Sequence, residues 1–94
     1  MTASDPAKTL PALTLYGREE CHLCQDMIGA LRKMQTDVPL GPYSPFTLDI
    51  IDVDDDADLQ ARYGALVPVL MADGKEICHY HLDMAALEQV LRRP

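Results

Sequence analysis

Positive charge is scarce in this chain. Its 8 lysines and arginines stand against 15 aspartates and glutamates, for a net charge of −7 and a pI near 4.6. Such a surface repels nucleic-acid phosphates and has no basic stripe to track a backbone, which argues against DNA or RNA as partners. A protein partner recognised by charge would present a basic patch. Long apolar runs are also missing. Nothing approaches the roughly 20 residues of a membrane span, so no membrane association is expected. No N-terminal stretch joins a basic head to an apolar segment, and a cytoplasmic location is the expectation that follows. Cysteine is sparse and odd in number, 3 in all, where a secreted disulfide scaffold of this size carries more and an even count. Repeats and low-complexity segments are absent as well. What remains is 94 residues, 48% of them hydrophobic, enough for one domain around one core.

The most telling segment is Cys21-His22-Leu23-Cys24. It follows an apolar strand-like run, Leu13-Thr14-Leu15-Tyr16, and opens a helix-like run from His22 to about Gln35. One helical turn brings two such cysteines to a Cα separation of roughly 5.5 Å, inside the range a disulfide tolerates. The helix start also offers unpaired N–H groups and a positive partial charge, which stabilise a thiolate on Cys21. Leu23, Met27, Leu31 and Met34 recur at helical spacing, with Cys24 and Ile28 beside them. Cys24 is therefore expected on the buried face and Cys21 at the exposed end. In these positions Cys21 is the candidate nucleophile and Cys24 the thiol that resolves a mixed disulfide. Arg18 and a protonated His22 favour the Cys21 thiolate, and Glu19 and Glu20 oppose it.

Residues 1–11 read as a loose tail and residues 12–94 as the domain. Ala12 to Tyr16 predicts a strand and Gly17-Arg18-Glu19-Glu20 the turn out of it. The prolines and glycine between Gln35 and Pro45 predict a loop. Phe46 to Val53 reads as a second strand with Phe46, Leu48 and Ile50 on one face. Asp54, Asp55 and Asp56 offer caps for a short helix over Ala57 to Tyr63, with Gly64 as its stop. Val67-Pro68 then precede a strand, Val69-Leu70-Met71. Asp73-Gly74 signals a hairpin, and Glu76 to Tyr80 returns as the partner strand. Asp83 caps a last helix whose Met84, Leu87, Val90 and Leu91 face inward, with Arg92 and Arg93 at its negative dipole end. The order is β-α-β-α-β-β-α, an α/β domain. The expected four-stranded sheet is mixed and flanked by helices, its first two strands parallel and its last two antiparallel.

That order, with Cys-x-x-Cys after the first strand and Val-Pro before the third, resembles the thioredoxin superfamily. More narrowly it is similar to the small bacterial glutaredoxin-like proteins over about residues 12–92. Ile51-Asp52-Val53-Asp54, Tyr63-Gly64 and Val67-Pro68-Val69-Leu70 carry the likeness beside the cysteine motif and the Asp73-Gly74 hairpin. The resemblance implies a thioredoxin-like fold and a thiol–disulfide oxidoreductase that cycles Cys21 and Cys24 between dithiol and disulfide. It implies a cis bond before Pro68, with that proline lying against the cysteines. By the same analogy the N–H and C=O of Val67 pair with the backbone of a substrate carrying the reacting sulfur. Arg18, which stands where glutaredoxins often carry a lysine, and His22 complete the expected substrate-binding set. The implied partners are protein or low-molecular-weight disulfides, acted on by a monomer with no tightly bound cofactor. Two departures matter. His22 and Leu23 replace the Pro-Tyr of many glutaredoxins. Cys78-His79-Tyr80 stands where they carry a Gly-Gly pair against glutathione, so glutathione is expected to serve only as a weak co-substrate.

Other groups have plainer readings. Cys78 is a small apolar residue on a strand; the alternative is a third thiol near the active site. Cys21, His22 and Cys24 with Cys78, His79 or His81 lack the second close ligand pair of a structural zinc site, so no metal is expected; metal binding, or an iron–sulfur cluster shared between two chains as in some glutaredoxins, through the same cysteines is a further alternative. Asp52, Asp54, Asp55, Asp56 and Asp58 lack the central glycine and terminal glutamate of a calcium loop and read as helix caps and solubilising charge. Tyr16, Tyr63 and Tyr80 read as core-edge residues. The competing function class is a non-catalytic adaptor that docks a protein through its edge strand or acidic face.

Overall fold

Alternation of buried and exposed residues along one short strand organises the sheet. In the computed structural model, which describes residues 10–37 and 43–92, β1 runs Ala12–Gly17 and buries Leu13, Leu15 and Gly17 on one face. The chain continues through α1 (His22–Thr36), β2 (Thr47–Asp52), a 3-10 turn (Val53–Asp55), α2 (Ala57–Tyr63), β3 (Val69–Ala72), β4 (Lys75–His79) and α3 (Met84–Leu91). The sheet order is β2-β1-β3-β4. β1 pairs parallel with β2, setting Leu13 beside Leu48 and Leu15 beside Ile50. β1 pairs antiparallel with β3, and β3 antiparallel with β4. This is the expected mixed α/β sheet. Most of the expected tail, part of the proline-rich loop and Arg93 lie outside the described residues.

The core lies on one face of the sheet. Leu13, Leu15, Leu48, Leu70 and Cys78 pack there with Met27 and Leu31 of α1 and Leu87 and Leu91 of α3. On the other face α2 meets β1, where Tyr63 stacks on Tyr16 with ring centroids 4.5 Å apart. A register shift between Leu70 and Met71 leaves Ile77 as an extra residue on β4. Such a bulge resets the alternation, and Ile77 and Cys78 both meet the core.

Four inward assignments are corrected. Leu23 is exposed and Cys24, Met27 and Leu31 form the buried stripe of α1. At about 100° per residue, a pure four-residue row drifts by roughly 40° per step, so Leu23 swings out while Cys24 replaces it. Ile50 is exposed because β2 is an edge strand; it lines a groove of about 250 Å³ with Gly17, Gln25 and Ile28. Met84 and Val90 are exposed while Leu87 and Leu91 are buried, because α3 turns only its Leu87–Leu91 row onto the core.

The caps explain the acidic run. Asp56 Oδ1 accepts from the N–H groups of Asp58 (2.8 Å) and Leu59 (3.2 Å). Asp52 Oδ1 accepts from Asp54 N–H at 2.8 Å, and Asp83 Oδ1 from Ala86 N–H at 3.1 Å. The hairpin has φ +52° at Asp73 and +77° at Gly74, as a two-residue turn between twisted strands requires. Gly64 ends α2 in a right-handed conformation with φ −54°. Glycine is needed there for space, since a Cβ would meet the Gln60 carbonyl and the Arg18 guanidinium.

Candidate active site

β1 delivers the chain to the cysteines at its C-terminal end. Gly17 allows the close approach: a Cβ there would stand 3.1 Å from Leu15 Cδ2 and 3.2 Å from Cys24 Sγ. Four residues later Cys21 is the N-cap of α1, extended at φ −133° and ψ 111°. Its Sγ accepts from the Cys24 N–H at 3.1 Å, and its carbonyl accepts from Gln25 N–H at 3.0 Å. Cys21 and Cys24 are joined as a disulfide with Cα atoms 5.1 Å apart. Cys21 is half-buried and Cys24 fully buried, while His22 and Leu23 between them face solvent. A sulfur that solvent can reach, bonded to a partner one turn deeper, is an arrangement open to thiol–disulfide exchange.

The Arg18 guanidinium is engaged away from the chain's own turn. Its Nε donates to Asp54 Oδ1 at 3.1 Å, and its Nη1 to the Gly64 carbonyl at 3.1 Å. Gln60 Nε2 donates to the same Asp54 oxygen at 3.0 Å. Arg18 thus ties the loop before the cysteines to the 3-10 turn and to the end of α2, from which the chain runs into Val67. The Val67–Pro68 bond is cis, as the resemblance implies. Pro68 is buried and Val67 half-buried. The Pro68 carbonyl accepts from Tyr80 N–H at 2.9 Å.

Cys78 belongs to the core and not to the disulfide. It is 8% exposed and packs against Leu70. Burial pushes its thiol pKa up; the Asp83 and Glu76 carboxylates add to the rise, and a backbone hydrogen bond at Asp83 opposes it. His79 pairs with Glu76, Nδ1 to Oε2 at 2.6 Å, on the exposed side of the β4 edge. Among the described residues no three His, Cys, Asp or Glu side chains gather in a metal-binding group. None of their helices is long and apolar enough to cross a membrane.

Sequence reasoning missed three contributors to this end of the molecule. Asp54 and Gly64 hold Arg18 from 36 and 46 residues away, a pairing that no local pattern encodes. Tyr80 takes a left-handed backbone, φ +66°. The available signal was its place in the Cys78-His79-Tyr80 stretch, where the family resemblance places a glycine pair.

Comparison with known proteins agrees with this geometry. The glutaredoxin-like domain family (DUF836) matches residues 12–92. The solution structure of protein Ne2328 from Nitrosomonas europaea is 40% identical, with a TM-score of 0.73, covering 87% of this chain and 92% of that one. The X-ray structure of protein XcR50 from X. campestris is 33% identical, with a TM-score of 0.61, covering 82% and 91%. Fasciola hepatica thioredoxin, at 17% identity and a TM-score of 0.55 over 90% and 82%, shares the fold. Among curated proteins none matches significantly. With a mixed four-stranded sheet, three helices and a Cys-x-x-Cys disulfide at the start of the first helix, the chain belongs to the glutaredoxin-like domain family on a thioredoxin fold.

Proposed function

We propose that the protein is a thiol–disulfide oxidoreductase of the glutaredoxin-like kind, using Cys21 and Cys24 as its redox couple. The observation that carries this reading is the Cys21–Cys24 disulfide at the N-terminus of α1, one sulfur half-buried and the other fully buried. In the dithiol form, the Cys21 thiolate attacks one sulfur of a substrate disulfide. The substrate S–S bond breaks, a mixed disulfide forms, and one substrate thiolate leaves and takes a proton. Cys24 then attacks Cys21 Sγ and releases the second substrate thiol. The substrate has gained two electrons and the pair has lost them. A dithiol, or two monothiols such as glutathione, returns them.

The Cys24 N–H aimed at Cys21 Sγ supports the first step, because a donor at the sulfur together with the positive end of α1 stabilises a thiolate. Val67 is proposed to pair with the substrate backbone. Arg18 and His22 are proposed to border the bound substrate, Arg18 through N–H groups beyond those given to Asp54 and Gly64. Substrates are proteins or small disulfides, with glutathione a weak co-substrate, and the working form is a cytoplasmic monomer. The test is reduction of insulin, or of a glutathione mixed disulfide, by the purified protein and by Cys21→Ser. Turnover that vanishes in the variant supports the reading. Absence of turnover in the unaltered protein leaves the adaptor role, for which edge strand β2, with Ile50 and Ile51 exposed, is the docking edge.

A further inference from the structure

The segment after β4 holds the least expected backbone among the described residues. Tyr80 sits at φ +66°, in the left-handed region that bulky L-residues seldom enter and glycine enters freely. Burial does not force it there, since Tyr80 is 41% exposed. Two hydrogen bonds hold it. Its N–H donates to the Pro68 carbonyl at 2.9 Å, and its hydroxyl donates to the Ala65 carbonyl at 2.9 Å. The ring also meets His79 edge-on, with centroids 4.7 Å apart. Both hydrogen bonds land on one stretch of backbone, residues 65–68. On its other side Tyr80 lines a cleft of about 100 Å³ with Leu23, Met27 and Leu82, so it borders the cysteine motif itself.

We propose that Tyr80 is a positioning residue that holds the Ala65–Pro68 backbone, and with it the edge at Val67, in place for the substrate chain whose disulfide Cys21 attacks. This rests on the oxidoreductase reading. A left-handed tyrosine is locally unfavourable and persists where surrounding structure over-determines it. Here that structure is the Ala65–Pro68 backbone, so the strained residue and the substrate edge are fixed together.

Tyr80→Phe removes the hydroxyl bond and keeps the ring. With insulin as substrate and dithiothreitol as reductant, the expected result is a KM raised about fivefold, the equivalent of one neutral hydrogen bond. The kcat and the midpoint potential of the cysteine pair stay as they were. Leu66 N–H donates to the Tyr63 carbonyl at 2.8 Å inside the held segment, and its hydrogen–deuterium exchange should quicken to a similar degree. Tyr80→Asn, which tolerates a left-handed backbone without the ring, should raise KM at least as far without lowering the melting temperature. An unchanged KM with unchanged Leu66 exchange would overturn the proposal. So would a shifted potential with unchanged KM, which would place the hydroxyl's effect on the cysteines. If the unaltered protein reduces neither insulin nor a glutathione mixed disulfide, the oxidoreductase reading falls. The Leu66 exchange in Tyr80→Phe then decides alone: faster exchange supports the holding role and unchanged exchange overturns it.

Discussion

Cys21 and Cys78 are the same side chain in opposite settings. Cys21 ends a loop, caps a helix and receives an N–H on its sulfur. Cys78 lies in a strand among leucines, with its thiol pKa raised by burial. A helix start stabilises the thiolate and leaves the sulfur reachable. An apolar core penalises the thiolate and bars access. The reactivity of each sulfur is therefore expected to follow the element that carries it.

The largest effect should come from exchanging sulfur for oxygen within the pair. Cys21→Ser is expected to drop disulfide reduction to the uncatalysed background, and Cys24→Ser to stall as a mixed disulfide at Cys21 that mass spectrometry detects. Cys78→Ala should retain turnover. Dependence of turnover on Cys78 would break the contrast.

The next effect concerns how tightly the cysteine end is packed. Gly17→Ala pushes a methyl against Leu15 and the Cys24 sulfur, and should destabilise the fold by about 1–3 kcal/mol in urea unfolding. A neutral result would mean that the end of β1 is looser than the packing indicates.

A smaller change is expected in the core. Cys78→Ala should cost about 1 kcal/mol in the same measurement. In the reduced protein, brief iodoacetamide exposure near neutral pH should label Cys21 first and leave Cys78 unlabelled until unfolding.

Much of this contrast was legible in the sequence, and the reason is locality. Cys-x-x-Cys at a helix start, Asp73-Gly74 between two apolar runs and Asp83 before the last helix are each decided within a few residues, and each lies where expected. The buried setting of Cys78 followed from its place in a strand. What was hidden depends on distant partners. Arg18 looked like a free cation beside the cysteines, yet Asp54 and Gly64 hold it. Tyr80 looked like the end of a strand, and its left-handed turn exists because Pro68 and Ala65 accept its hydrogen bonds. Leu23 and Ile50 fit the apolar pattern and are exposed, since spacing marks a face and cannot say where the covering element stops.

The smallest effect is a pH slope. The Cys78 thiol pKa is raised above its ordinary value of 9.0, so above that pH the unfolded chain releases a proton that the folded state keeps. This contribution to stability is fully present below pH 9.0 and is lost as pH rises through the folded pKa. The slope is at most about 1.4 kcal/mol per pH unit, and Cys78→Ala should flatten it. An equal slope in the variant would assign the effect to other groups.

At the centre of the proposed chemistry, Cys21 and Cys24 form a two-electron couple. Equilibrating the protein against glutathione buffers of graded potential, and counting alkylated thiols by mass, measures it. One transition of two thiols is expected, with a midpoint between the thioredoxin and glutaredoxin values of roughly −270 and −200 mV, and with Cys78 reduced throughout. A protein whose Cys21 and Cys24 remain dithiol at every potential would contradict the account.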